Sequence, residues 1–215
     1  MNKILQKIGA LGVIPVVAIE DASDALPLAE ALTSGGLPCA EITFRTGAAA
    51  DAIGLIAKSY PEMLVGAGTV ITVEQAKAAI DAGARFIVSP GLDKKVVKYC
   101  LKHEIPITPG IVTPTELQRA LKLGLNAVKF FPAEAAGGVR TLKALSGPFQ
   151  QIKFVPTGGI SPANLTDYLA LPQVLACGGS WLVNKNLIAA GEFGRIAQLT
   201  REALALVHVV RGESA

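Results

Sequence analysis

Short apolar runs recur along the chain, and after each comes a longer stretch in which apolar residues return at helical spacing. Runs of that length, rich in Val, Ile and Phe and closed by glycine, proline or polar residues, predict buried strands. The longer stretches predict amphipathic helices. The pattern gives eight strands, at 13–19, 39–45, 64–70, 85–90, 105–110, 127–132, 153–158 and 174–181. Helices are expected at 23–34, 48–60, 73–82, 94–103, 114–123, 139–145, 162–171 and 193–210. Gly36, Gly83 and Gly124 each stand just after a helix and shortly before a strand, where a left-handed cap is wanted. Strict strand-helix alternation predicts an α/β chain folded as a (β/α)8 TIM barrel, one domain over residues 1–215. A doubly wound open sheet is the alternative.

Lys3 and Lys7, followed by the apolar segment 8–19, imitate a secretory leader. Pro15 and the pair Glu20-Asp21 argue against that, and the segment is shorter than the ~20 residues a membrane span needs. A short N-terminal helix and then the first strand are expected instead.

Two strands break the apolar pattern with charge. In 127–132 Lys129 shares a face with Ala127 and Phe131. An ammonium buried there would lose its hydration, which favours the neutral, nucleophilic amine. A lysine paired to a carboxylate across the core, or one reaching out to water, would also fit the position. In 39–45 Cys39, Glu41, Thr43 and Arg45 fall on one face while Ala40, Ile42 and Phe44 fall on the other. The apolar face suits outer helices, so Glu41 is expected deep in the barrel and Arg45 near its rim. A structural ion pair of Glu41 with Arg45 or Lys129 is the alternative to a chemical role.

Composition narrows the partners. The chain has 215 residues, 51% of them hydrophobic, and 20 basic against 17 acidic residues for a net charge of +3. That balance suits small anionic ligands. It carries no basic patch interleaved with aromatics for nucleic acid, and no membrane partner is expected. Cys39, Cys100 and Cys177 are odd in number, far apart and without a CxxC pair, so they are expected as reduced core residues of a cytoplasmic protein. The two histidines, His103 and His208, fall on helices away from the strand ends, so neither a metal site nor histidine acid-base chemistry is expected.

The last two strands end in glycine clusters, Pro156-Thr157-Gly158-Gly159 and Gly178-Gly179-Ser180. Bare backbone amides after strands seven and eight are the usual phosphate seat of a barrel, although ordinary turns would also carry glycines. Gly66-Ala67-Gly68-Thr69 and Ser89-Pro90-Gly91 add small residues that leave room for a ligand.

Taken together, the segments GLPCAEITFR at 36–45, GAGT at 66–69, SPG at 89–91, GLNAVKFFPAEAAG at 124–137, PTGGISPAN at 156–164 and GGSW at 178–181 resemble the 2-keto-3-deoxy-6-phosphogluconate and 4-hydroxy-2-oxoglutarate aldolase family. The resemblance covers nearly the whole chain and departs from the expected pattern at Ala136, where a polar residue would stand. It implies a Schiff-base lyase without cofactor, with Lys129 forming the imine and Glu41 moving protons. Arg45 and Thr69 would hold the substrate carboxylate, and Pro90, Phe131 and Thr157 would contact substrate. Gly158, Gly159, Gly179 and Ser180 would seat a phosphate. The implied substrates are a 2-oxo acid and a phosphorylated aldehyde, and the implied assembly is a homotrimer. The alternatives are the related phosphogalactonate aldolase, another phosphate-binding barrel lyase or isomerase, and a non-catalytic barrel that senses phosphorylated metabolites.

Overall fold

In the computed structural model, which describes residues 2–212, all eight expected strands form and run parallel. They are β1 (Val13–Val17), β2 (Cys39–Thr43), β3 (Leu64–Gly68), β4 (Ile87–Ser89), β5 (Ile107–Ile111), β6 (Ala127–Phe130), β7 (Lys153–Pro156) and β8 (Cys177–Gly179). Each pairs with its neighbour in sequence from β1 to β7, and β1 also pairs with β8. Bridges from Phe154 to Val174 and from Thr157 to Gly178 join β7 to β8, so the sheet curls into a barrel rather than an open doubly wound layer.

The ladders are shorter than the apolar runs because most runs continue past the last paired residue, and those of β4, β5 and β8 also begin before the first. Arg45, Thr69, Pro90, Phe131, Thr157 and Ser180 all lie within two residues beyond a strand end. They leave the sheet and form the carboxyl rim, where a barrel keeps its chemistry.

Outside the barrel run α1 (Lys3–Leu11), α2 (Ala25–Ser34), α3 (Ala49–Ser59), α4 (Val73–Asp81), α5 (Lys94–Lys102), α6 (Pro114–Lys122), α7 (Gly138–Ser146), α8 (Leu165–Leu169), α9 (Lys185–Ala189) and α10 (Phe193–Arg211). Five of these helices, α1, α4, α5, α6 and α9, start at a side-chain cap. Thr72 accepts from the Gln75 amide, Asp93 from Lys95 and Val96, and Thr113 forms a reciprocal box with Glu116. Burial raises the Glu116 pKa, but hydrogen bonds from Val112 and Thr113 outweigh it and hold the carboxyl below its usual range. The predicted C-caps Gly36, Gly83 and Gly124 have φ of 88°, 100° and 80°, the left-handed backbone that glycine adopts without a Cβ clash.

Three expectations need correction. The segment 23–34 divides into a 3-10 turn at Ala22–Asp24, capped by Asp21, and α2. The segment 162–171 keeps only α8, because the Asn164 side chain accepts from the Ser161 amide and donates to the Gly159 carbonyl, holding 159–164 as a turn. Between β8 and α10 the chain adds a 3-10 turn at Trp181–Val183 and α9, which apolar periodicity is too short to reveal. The Asn184 side chain, accepting from the Asn186 amide at 2.9 Å, is the local signal that could have revealed α9.

The amino end of the barrel is filled. Leu5 and Ile8 of α1 line one small void with Ile14, Phe86, Pro106 and Val155, and the Arg211 guanidinium of α10 donates to the Gly9 and Ala10 carbonyls at the end of α1. Cys39, Cys100 and Cys177 are free and buried, and burial lifts all three thiol pKa values, that of Cys100 to about 11.

Candidate active site

Alternation along β2 places Ile42 against the outer layer and points Cys39, Glu41 and Thr43 into the barrel, as the sequence pattern requires. On β6 the same period sets Ala127 and Lys129 inward, with Phe131 following on the same side. Lys129 and Glu41 are 6% and 1% exposed, and Lys129 Nζ lies 3.5 Å from Glu41 Oε1. The Nζ also sits 5.1 Å from the centre of the Phe131 ring, within reach of its negative face. These are the two charged side chains buried in the barrel among the described residues, and each is the other's partner.

Two glycines leave space around the pair, one for the Glu41 carboxylate and one for the Pro90 carbonyl beside Lys129's register partner. A Cβ on Gly68 of β3 would overlap the Glu41 carboxylate, so the carboxylate occupies space that any other residue would fill. Gly110 of β5 is the register partner of Lys129, and a Cβ there would collide with the Pro90 carbonyl.

Above this pair opens a cavity of about 390 Å³ at the carboxyl ends of β1, β2, β6, β7 and β8. Thr43 and Phe131, each one pleat above Glu41 and Lys129, line it together with Arg45. Its far wall is built from Thr157, Gly158 and Gly159 after β7, Gly178, Gly179 and Ser180 around the end of β8, and Asn184, Lys185 and Asn186 beyond. Arg45 and Lys185 are the charged residues on that lining, and no carboxylate is among them, so the cavity presents positive potential to a ligand.

The β7 turn is held from behind. Gly158 and Gly159 have φ of 97° and 82°, and a Cβ on Gly159 would fall 2.6 Å from the Glu134 side chain. Glu134 in turn accepts a hydrogen bond from the hydroxyl of Tyr168, which is completely buried. The amides of Ala133 and Glu134 donate to the carbonyls of Thr157 and Gly158 at 2.8 and 3.1 Å. The segment after Lys129 and the turn after β7 are thereby laced into one block.

Nine of the eleven residues expected from sequence meet here, seven on the cavity wall and the Lys129–Glu41 pair beneath it. Thr69 and Pro90 are exceptions. At Thr69 the backbone turns into the left-handed region (φ 57°), and the next amide, of Val70, bonds back to the Val88 carbonyl. Pro90 packs its carbonyl on Gly110 and lines a separate recess with Val70, Ile71 and Leu92. Neither residue lines the cavity. The sequence pattern did not assign Asn184, Lys185 or Asn186 to the site, because the strand ends alone carried that argument.

A family model described as KDPG and KHG aldolase matches residues 4–199. The chain belongs to the KDPG and KHG aldolase family. It is 50% identical over 210 residues to the 2-dehydro-3-deoxy-phosphogluconate aldolase of Treponema pallidum, covering 98% of this chain and 100% of that one. Among solved structures it is similar to the KDPG aldolase of Legionella pneumophila with pyruvate captured at low pH as a covalent carbinolamine intermediate (TM-score 0.91, 44% identity, 94% of this chain and 98% of that one). It is also similar to the Zymomonas mobilis enzyme with 3-phosphoglycerate (TM-score 0.88, 40% identity, 94% and 95%).

Proposed function

We propose that this protein is a Schiff-base aldolase that cleaves 2-dehydro-3-deoxy-6-phosphogluconate to pyruvate and glyceraldehyde 3-phosphate, and 4-hydroxy-2-oxoglutarate to pyruvate and glyoxylate. The observation that carries it is one buried amine beside one buried carboxylate, Lys129 and Glu41, beneath a cavity with cations and bare glycine amides on its wall. The likeness to an aldolase solved with pyruvate as a covalent carbinolamine supports the same chemistry.

In this reading the unprotonated Lys129 amine adds to the ketone carbon of the 2-oxo acid, forming a carbinolamine that loses water to give an iminium. Removal of the proton from the hydroxyl on the fourth carbon breaks the bond to the third. The electron pair of that bond flows into the iminium, and the aldehyde departs. The remaining enamine takes a proton on its terminal carbon, and hydrolysis returns pyruvate and free Lys129. Glu41, within reach of Nζ, takes and returns these protons in turn. Arg45 would hold the substrate carboxylate in a bidentate fork. Thr157 and Phe131 wall the reacting carbons, and Gly158, Gly159, Gly179 and Ser180 offer donors to the phosphate. Thr69 would add a hydroxyl to the carboxylate site, and Pro90 would contact the substrate from the end of β4.

No metal is required by this scheme. Among the described residues no group of three or more His, Cys, Asp or Glu is placed to hold one, and no helix is long and apolar enough to cross a membrane. The cytoplasmic setting expected from the cysteines and the homotrimer implied by the resemblance belong to the same proposal. Ile71 and Val209, 56% and 75% exposed, are apolar side chains a subunit contact could cover. Steady-state assays on a panel of 2-oxo acids, with and without a terminal phosphate, test the reading. Turnover that depends on an added divalent metal, or none with any 2-oxo acid, would remove it.

A further inference from the structure

We infer that Lys185 is the cationic arm of the phosphate end of this cavity and sets how strongly the enzyme prefers phosphorylated over unphosphorylated substrates. The inference rests on the aldolase reading above. The expected phosphate donors, Gly158, Gly159, Gly179 and Ser180, are all neutral, whereas a phosphate monoester carries about −1.5 to −2 charges at pH 7. Backbone amides satisfy its oxygens but leave that charge without a counter-ion. Arg45 follows β2, and β1 separates that strand from β8; Lys185 follows β8 and lines the same wall as the four donors. No salt bridge among the described residues engages Lys185, and its side chain is exposed, so its charge is available to a ligand. The turn that carries it is fixed, because the Asn184 side chain accepts from the Asn186 amide at 2.9 Å. A flexible lysine can follow a phosphate at more than one distance from the iminium, which suits substrates of different length.

An exposed cation acts through solvent, so its effect is modest and weakens with salt. Lys185→Gln is expected to raise KM for the phosphorylated substrate up to about fivefold at ionic strength near 0.02 M, and Lys185→Glu about tenfold. Both effects should shrink towards one at about 0.5 M salt. Inhibition by inorganic phosphate should weaken in parallel. Exchange of the pyruvate methyl protons with deuterium, which needs no phosphate, should keep its rate, and Lys185→Arg should restore the parent KM. An unchanged KM and phosphate inhibition in Lys185→Glu at low salt would overturn the inference, as would an equal slowing of pyruvate exchange. Calorimetric titration with inorganic phosphate separates this inference from the aldolase reading. Lys185-dependent phosphate binding in a protein that does not exchange pyruvate protons would sink the aldolase and leave the phosphate arm standing.

Discussion

Lys129 and Glu41 are 88 positions apart in the chain, yet Nζ of one lies 3.5 Å from Oε1 of the other inside the barrel. That separation exceeds the ~2.7–2.9 Å of a tight charge-assisted hydrogen bond, so the pair is adjacent without being locked. At that distance the carboxylate is within direct reach of the amine, where a proton carrier has to stand.

Incubation with pyruvate and borohydride should attach one reduced pyruvyl group to Lys129, located by peptide mass mapping. Lys129→Arg should lose both the label and aldol cleavage. A label on another lysine, or none in a protein that still turns over, removes Lys129 from the chemistry.

Glu41→Gln keeps the size of the side chain and removes the base. Deuterium exchange into pyruvate should slow by about 10²- to 10⁴-fold, with Lys129 still trappable at a lower rate. Arg45→Ala should instead raise the KM for pyruvate and leave saturated exchange nearly intact. Native exchange in a well-folded Glu41→Gln protein would make Glu41 a structural partner only.

Gly68→Ala puts a methyl group where the Glu41 carboxylate lies. Displacing that carboxylate by about 1 Å should cost on the order of 10² in turnover, read by the same exchange assay. The equivalent change at Gly47, which has open space around its Cβ position, should have little effect.

Tyr168→Phe removes the hydroxyl that donates to Glu134 behind Gly159. Unfolding in urea should show a loss of about 1–2 kcal/mol, and KM for the phosphorylated substrate should rise while pyruvate exchange holds. Equal effects on both substrates would show that the contact serves the whole barrel and not the phosphate turn.

Stability should fall at alkaline pH. Burial raises the thiol pKa values of Cys39, Cys100 and Cys177 from 9.0, and burial together with the Glu134 contact raises the phenol of Tyr168 from 10.0. The folded protein therefore keeps protons that the unfolded chain releases, so this contribution is intact below about pH 9 and is lost as pH rises towards the folded values. Each group that is ionised in the unfolded chain but still protonated in the folded one removes about 1.4 kcal/mol per pH unit. Urea midpoints measured from pH 7 to 10.5 should stay level and then decline, and the thiols should react with a disulfide reagent only on unfolding.

The succession of strands and helices, the inward face of β2, the caps at Gly36, Gly83 and Gly124, and the isolation of Lys129 were all legible in the sequence. Each depends on chemistry local to a few residues: a period of two, a period of 3.6, or a backbone angle that glycine tolerates. Barrel closure then made the position of Lys129 and Glu41 at one level of the interior a matter of register, with Glu41 opposite Gly66 and Lys129 opposite Gly110. Only the tertiary structure decided the rest. It left Thr69 off the cavity lining, put Pro90 on a neighbouring recess, brought Lys185 onto the cavity wall, and set Tyr168 and Glu134 behind the turn after β7. Those outcomes depend on where loops past the strand ends come to rest and on which side chains meet across the closed sheet. No local period carries that information, because the partners are joined through space by packing and hydrogen bonds, not by spacing along the chain.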